Sequence, residues 1–173
     1  MRNSIVPILT CALIVGYANC AAAQVSSDGG PIRVNADRSE VLERENKVIL
    51  IDNVDITQGD ARLRADVVTL AFGPGQGTTA SGVGSGFGDI RTMTARGNVF
   101  YVTPDLKARG DFGTYDAQTD TITLTGNVTL VRGEDVGTGE RLTLQLSEGR
   151  TVLDPKDGEQ VNIVIIPIES ETQ

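Results

Sequence analysis

The chain has 173 residues and an acidic balance, with 23 Asp and Glu against 15 Lys and Arg, a net charge of −8 and no histidine. The lack of histidine excludes the commonest general base and the commonest metal ligand of enzymes, and with them the usual catalytic triads. No run of lysines or arginines occurs in the sequence, which disfavours a nucleic-acid partner. The composition favours a binding or structural protein without a cofactor or a metal.

The first segment, residues 1–23, has the features of a Sec signal peptide. Arg2 precedes an apolar run, and small residues follow it in "CAAAQ", with cleavage expected after Ala23. The alternatives are a membrane anchor, for which an apolar run of about 14 residues is short, and a lipoprotein modified at Cys20, which lacks the expected aliphatic residue three positions earlier. Both cysteines, Cys11 and Cys20, lie in this segment, so the exported chain is expected to fold without a disulfide.

The remaining residues, 24–173, are predicted to form a single all-β domain. Val, Ile and Thr alternate with polar residues in segments such as "TDTITLTG" and "RLTLQLSEG", which is the pattern of half-buried strands. No window of a dozen residues carries an amphipathic helical pattern. The predicted fold is a solenoid-like or rolled antiparallel sheet built from repeated short strands.

An internal repeat of about 29 residues supports this prediction. The phrase "LTGNVTLVRG" at 124–133 has two near-copies, "LIDNVDITQG" at 50–59 and "ARGNVFYVTP" at 95–104. The acidic residues at equivalent places of the repeat are Asp37, Asp66, Asp111 and Glu140, and the equivalent asparagines are Asn53, Asn98 and Asn127. One Gly-rich insertion at 73–89 accounts for the unequal spacing in both series, and it is predicted to be a flexible loop.

Each repeated asparagine is predicted to mark a tight turn between two short strands. "GN" and "DN" accept positive φ at low cost, as hairpin turns between twisted strands require. The repeated phrase is therefore interpreted as a hairpin signal, with about four short strands in each unit.

Apolar residues recur on one parity of the predicted strands and are expected to point inward. One interpretation is a packed core; the other is a slender or partly open apolar interior, favoured by the scarcity of bulky aromatic residues, which accepts acyl chains. The residues predicted to line this interior and contact lipid are Ile32, Val34, Val54, Ile56, Leu63, Met93, Tyr101, Tyr115, Leu124, Leu130 and Leu144.

Candidate catalytic groups are limited to paired carboxylates. Asp116 with Asp120, or Glu134 with Asp135, have the residue types that hydrolysis uses. Because they lie in turn-like segments, they are interpreted as solvated turn residues. The Gly-rich insertion lacks the lysine and the following helix of a phosphate-binding loop. No catalytic residue is predicted.

The order of these elements resembles a known family. "PIRVNADRSEVLERENKVILIDNVDITQGDARLRADVVTLAF", then a Gly-rich excursion, then "LTGNVTLVRGEDVGTGERLTLQL" resemble the LptA/OstA-like family of periplasmic lipopolysaccharide-transport proteins, from about Pro31 to Ile168. The resemblance implies a periplasmic β-jellyroll whose apolar groove holds the acyl chains of lipid A. It also implies head-to-tail assembly between an LptC-like inner-membrane protein and an LptD-like outer-membrane translocon.

The first and last strands are predicted to be open edges of the sheet. "PIRVNAD" begins the domain and "VNIVIIPIE" at 161–169 ends it, and the latter has no lysine or arginine to deter edge pairing. Val161, Ile163 and Ile165 are the predicted assembly residues, and the alternative is a buried final strand in a closed monomer. Two functions remain open: a lipopolysaccharide carrier, or a β-scaffold that stacks end to end without binding lipid.

Overall fold

The structure, a computed structural model, describes residues 31–73 and 89–165. The predicted signal peptide, most of the Gly-rich insertion and the end of the segment 161–169 lie outside these residues. Ten β-strands and one short 3₁₀ turn, Glu43–Glu45, make up the regular structure of the described residues. None of the described helical segments is long and apolar enough to cross a membrane.

All ten strands belong to one antiparallel sheet, which confirms the all-β prediction. Six of the strands are long, with 10 to 13 residues each. The strands are β1 Arg33–Asn35, β2 Arg38–Leu42, β3 Lys47–Gln58, β4 Ala61–Phe72, β5 Ile90–Val102, β6 Lys107–Asp116, β7 Thr121–Arg132, β8 Asp135–Gln145, β9 Arg150–Asp154 and β10 Asn162–Val164.

The long strands pair in sequence order from β3 to β8, and short strands cover both outer sides. Strands β1 and β2 both pair with β3, while β9 and β10 both pair with β8. Each edge of the described sheet therefore consists of two short strands, and the sheet does not close on itself. The prediction that the first and last strands form the two edges is confirmed for the described residues.

The prediction of hairpin turns at the repeated asparagines is wrong. Asn53, Asn98 and Asn127 lie inside β3, β5 and β7, where the strand register shifts by a β-bulge. All three have positive φ, between 45° and 49°. The chain therefore bends at each asparagine and continues as the same strand, so each repeat contains two long bent strands rather than four short ones.

Each bulge is held by a carboxylate from a neighbouring strand or from the segment between β1 and β2. The Nδ2 atom of Asn53 donates to Asp37 Oδ2 at 2.7 Å. Equivalent bonds join Asn98 to Asp66 at 3.0 Å and Asn127 to Asp111 at 2.8 Å. These pairs follow the line along which the sheet bends, and this line is called the bend.

The bend divides the sheet into two halves. The first half-sheet contains β1, β10 and the strand segments 54–58, 61–65, 99–102, 107–110, 128–132 and 135–139; the second contains β2, β9 and the remaining strand segments. In β4 the buried residues change from odd to even positions across the bend: Leu63 and Ala65 are buried before it, and Val68 and Leu70 after it. The two halves consequently direct their apolar faces into one common core.

The Gly-rich insertion leaves the β4–β5 pairing intact. Phe72 pairs with Ile90, and the backbone N–H of Gly73 donates to the carbonyl of Asp89 at 2.8 Å. The spacing of the repeats therefore placed the insertion correctly, in the connection between β4 and β5. The predicted flexibility of the loop concerns residues 74–88, which lie outside the described part of the chain.

Candidate functional site

The inner face of the first half-sheet carries a continuous row of apolar residues. Directly paired positions run across eight strands, from Val34 in β1 to Ile163 in β10. The intervening members are Ile56, Leu63, Tyr101, Ala108, Leu130 and Gly137. Residues beside each other on one face of paired strands contact one another, so the row forms a single apolar strip.

The second half-sheet carries two such rows facing the first. One row runs through Val48, Leu70, Met93, Tyr115, Ile122 and Leu144. The other runs through Leu50, Val68, Ala95, Gly113, Leu124 and Leu142. All residues of these two rows except Gly113 belong to the buried hydrophobic core, so the second half-sheet presents an apolar face to the first. Gln58, at the end of β3, is the buried polar residue of the described chain.

Most residues predicted to line the interior are buried there. Val54, Ile56, Leu63, Met93, Tyr101, Tyr115, Leu124 and Leu144 are core residues, and Ile32 and Leu130 are half-buried against them. Val34 lies on the inward row, yet 39% of its surface is exposed because β1 is an edge strand. Val48, Leu50, Val68 and Leu70 belong to the same lining and were not among the predicted contacts, although their alternation follows the same pattern.

The centre of the interior is packed. A cavity of about 20 Å³ lies between the two halves, lined by Leu63 and Tyr101 on one side and by Met93, Tyr115, Ile122 and Leu124 on the other. A water molecule requires roughly 10–15 Å³ measured in the same way, so this space has room for about one water molecule. The cavity is therefore too small to hold an acyl chain.

Two tyrosines bring polar atoms to this apolar interior. The Tyr115 hydroxyl donates to Asp120 Oδ1 at 3.2 Å. Burial, with a smaller contribution from the Asp120 carboxylate, raises the pKa of Tyr101 to about 12. Tyr101 therefore stays neutral at physiological pH, and its ring belongs to the apolar lining.

The predicted assembly residues lie at the C-terminal edge. Ile163 and Ile165 are 57% and 68% exposed, and Val161 is half-buried. Ile163 continues the inward row of the first half-sheet, opposite Gly137. Val34 occupies the corresponding place at the other edge, so the apolar strip ends in an exposed aliphatic side chain on both sides.

The paired carboxylates occupy connections between strands or strand ends. Asp116 ends β6 and accepts backbone N–H bonds from Gln118 and Thr119 at 2.8 and 3.3 Å, as in an Asx turn. Glu134 lies in the connection between β7 and β8, and Asp135 is the first residue of β8. Among the described residues no group of three or more acidic side chains, histidines or cysteines converges as a metal site would.

Comparison with known proteins gives a family match over most of this sheet. The family model described as "LptA/(LptD N-terminal domain) LPS transport protein" matches residues 33–150. An uncharacterised protein of Rhizobium meliloti (strain 1021) is 32% identical over 150 residues, which cover 86% of this chain and 77% of that protein. The LPS-assembly protein LptD of Yersinia enterocolitica is 30% identical over 125 residues, which cover 72% of this chain and only 15% of LptD.

A solved structure shares the fold. The crystal structure of LptH from Pseudomonas aeruginosa, described as the LptA-homologous periplasmic component of the lipopolysaccharide transport device, superposes with a TM-score of 0.64. It covers 79% of this chain and 96% of LptH at 20% sequence identity. The likeness extends the family match to the bent, open antiparallel sheet itself.

Proposed function

The chain belongs to the LptA/LptD N-terminal domain family of LPS transport proteins, and from this premise we propose that it is a periplasmic, non-enzymatic carrier that holds the acyl chains of lipopolysaccharide between its half-sheets. The observation that carries the proposal is the apolar strip that runs from Val34 to Ile163. Burying acyl methylenes there contributes about 0.8 kcal/mol each. The saccharide stays in water.

Delivery of lipopolysaccharide from the inner to the outer membrane requires a partner at each membrane. We propose that an LptC-like inner-membrane protein and an LptD-like outer-membrane translocon pair with the two sheet edges, and that copies of this chain join head to tail between them. Within the described sheet β1, β2, β9 and β10 each pair on one side only, which supports this arrangement because open edges recruit further strands. Alignment of edges would join the exposed ends of neighbouring strips into one continuous apolar path.

The tightly packed centre favours a second candidate function. A β-scaffold that stacks end to end without binding lipid needs only the edges, and a cavity of about 20 Å³ suits it. Mass spectrometry of lipid extracted from protein purified out of the envelope separates the two candidates. Stoichiometric lipopolysaccharide supports the carrier, and its absence supports the scaffold.

Photo-crosslinking tests the assigned interior. Crosslinking groups at Met93, Tyr115 and Leu144, which lie on one inner row, should capture lipopolysaccharide. A group at Thr143, on the other face of β8, is the matched control and should not. Equal capture at both faces would contradict the inward assignment, and capture at neither would leave the scaffold as the function.

A further inference from the structure

The outer face of the first half-sheet has a charge opposite to that of the whole chain. Its two rows of directly paired residues run from Arg33 to Val164 and from Asn35 to Asn162. Along these rows the cations are Arg33, Arg62, Arg64, Lys107 and Arg109, and the one carboxylate is Asp55. We call these two rows the basic face.

The single carboxylate of the basic face is already engaged. The Arg62 Nε atom donates to Asp55 Oδ1 at 2.8 Å, and its guanidinium forms an ion pair with the same carboxylate. This hydrogen bond lowers the pKa of Asp55, against the opposing effect of its burial. From β4 onward, through β5, β6, β7, β8 and β10, neither row contains an acidic residue. Asp60, Asp105 and Glu134 lie in the connections between strands, and Asp66, Asp111 and Glu140 lie at the bend, where Asp66 and Asp111 accept hydrogen bonds from the bulge asparagines.

Apolar side chains lie among these cations, although the face is turned to solvent. Phe100 is 39% exposed, and the Arg109 guanidinium lies 5.4 Å from its ring centroid. Val136 and Val164 are 37% and 55% exposed, and they continue the row that contains Arg62 and Lys107. The basic face therefore combines positive charge with exposed apolar surface.

We propose that the basic face docks the protein on an anionic phospholipid bilayer. Charge complementarity supports this occupant: guanidinium and ammonium groups bind lipid phosphates, and a net positive face in an acidic chain orients it toward a negative surface. The exposed Phe and Val side chains match the apolar boundary below the headgroups, as in proteins that lie on membranes. The interior and the basic face lie on opposite sides of the same strands, so docking leaves the carrier interior accessible and does not depend on lipid carriage.

Sedimentation with vesicles tests the proposal on the full exported chain. Phosphatidylcholine vesicles that contain phosphatidylglycerol should bind the protein, binding should weaken with salt, and phosphatidylcholine alone should not bind it. The triple substitution Arg64→Gln, Lys107→Gln, Arg109→Gln should reduce affinity by about a hundredfold, since each basic residue near an anionic surface contributes roughly a fivefold step.

Two variants act as matched controls. Arg38→Gln, Arg141→Gln, Arg150→Gln removes the same charge from strands of the second half-sheet and should change affinity less than threefold, about the limit expected for cations held away from the surface. Val136→Thr with Val164→Thr keeps side-chain shape and charge and should weaken binding several-fold. Melting temperatures near that of the parent chain establish that all variants fold.

Three outcomes would overturn the proposal. Equal loss of affinity in the two triple variants would show that only total charge matters. Retention on immobilised polyglutamate without vesicle binding would identify an acidic protein as the partner. Concentration-dependent self-association that the basic-face triple variant abolishes, again without vesicle binding, would make the face a contact between copies of this chain.

Discussion

Positive φ angles identify the residues at which individual strands bend. Gly97 and Gly126 have φ of 74° and 80°, and each precedes a bulge asparagine. The space where a side chain would begin is occupied by the carboxylate of Asp66 beside Gly97 and of Asp111 beside Gly126. These glycines are therefore required both by backbone conformation and by close approach of the neighbouring strand.

The first prediction separates these two requirements. Gly133→Ala should cost about 1 kcal/mol, because Gly133 has φ of 61° but no atom lies within 4 Å of the added Cβ. Gly126→Ala should cost at least about 2 kcal/mol more, because its Cβ would lie 2.7 Å from Asp111 Oδ2. Urea unfolding measures both variants, and equal losses would contradict the role assigned to the carboxylate.

A buried tyrosine makes stability depend on pH at the alkaline end. Burial and the Asp120 carboxylate raise the pKa of Tyr101 to about 12, above the ordinary value of 10.0. The folded state therefore retains a proton that the unfolded state loses, so this contribution to stability is complete below pH 10 and is lost as pH rises toward 12.

The second prediction follows from this loss of stability with rising pH. Between pH 9 and pH 11.5 the free energy of unfolding of the parent chain should fall more steeply than that of Tyr101→Phe, by up to about 2 kcal/mol. The variant should lose about 1 kcal/mol at neutral pH with the removed hydroxyl. Urea unfolding at a series of pH values measures both effects, and parallel pH profiles would show that Tyr101 does not titrate as assigned.

At the scale of elements, the bent strand is the repeated unit. Bulges in β3, β5 and β7 face carboxylates from the segment before β2 and from β4 and β6. The regular positions of Asp37, Asp66 and Asp111 in the sequence thus reflect a real structural equivalence. The sequence could predict this equivalence from spacing, but it could not distinguish a bulge from a turn, because both use Gly or Asp before Asn at positive φ.

The third prediction concerns the coupling across the bend. A double-mutant cycle with Asp111→Ala and Asn127→Ala should give a coupling energy of about 0.5–1.5 kcal/mol, since the 2.8 Å hydrogen bond is removed by either change. The cycle cancels the separate backbone cost of replacing an asparagine at positive φ. Asp116→Ala with Asn127→Ala is the control pair and should be additive, and coupling there of equal size would contradict a local bond.

At the scale of the whole molecule, the open sheet has two edges made of short strands. Strand β10 covers positions Val136 to Thr138 of β8 and leaves its own outer side unpaired within the described sheet. Deleting β10 would move the open edge to β8, so truncation is a poor test of edge pairing. A charge placed on the exposed end of the apolar strip blocks association without exposing a new strand.

The fourth prediction follows from this geometry. Ile163→Lys with Ile165→Lys should abolish concentration-dependent self-association in sedimentation and leave the melting temperature nearly unchanged, because both side chains are more than half exposed. Val41→Lys, at an exposed position of β2, tests the opposite edge and should weaken association in the same way. Association that persists in both variants would contradict edge-to-edge assembly.

The sequence by itself determined the all-β class, the inward parity within each half-strand, the equivalence of the repeated Asp and Asn residues and the identity of the edge strands. These features depend on the two-residue alternation of apolar and polar side chains and on local spacing, both of which can be recognised in a single sequence. Only the tertiary structure decided that strands continue through the asparagines, that Val34 is exposed at an edge and that β4 changes parity at the bend. It also brought Arg33, Arg64 and Arg109 onto one face, because strand register, and not sequence proximity, places distant residues side by side.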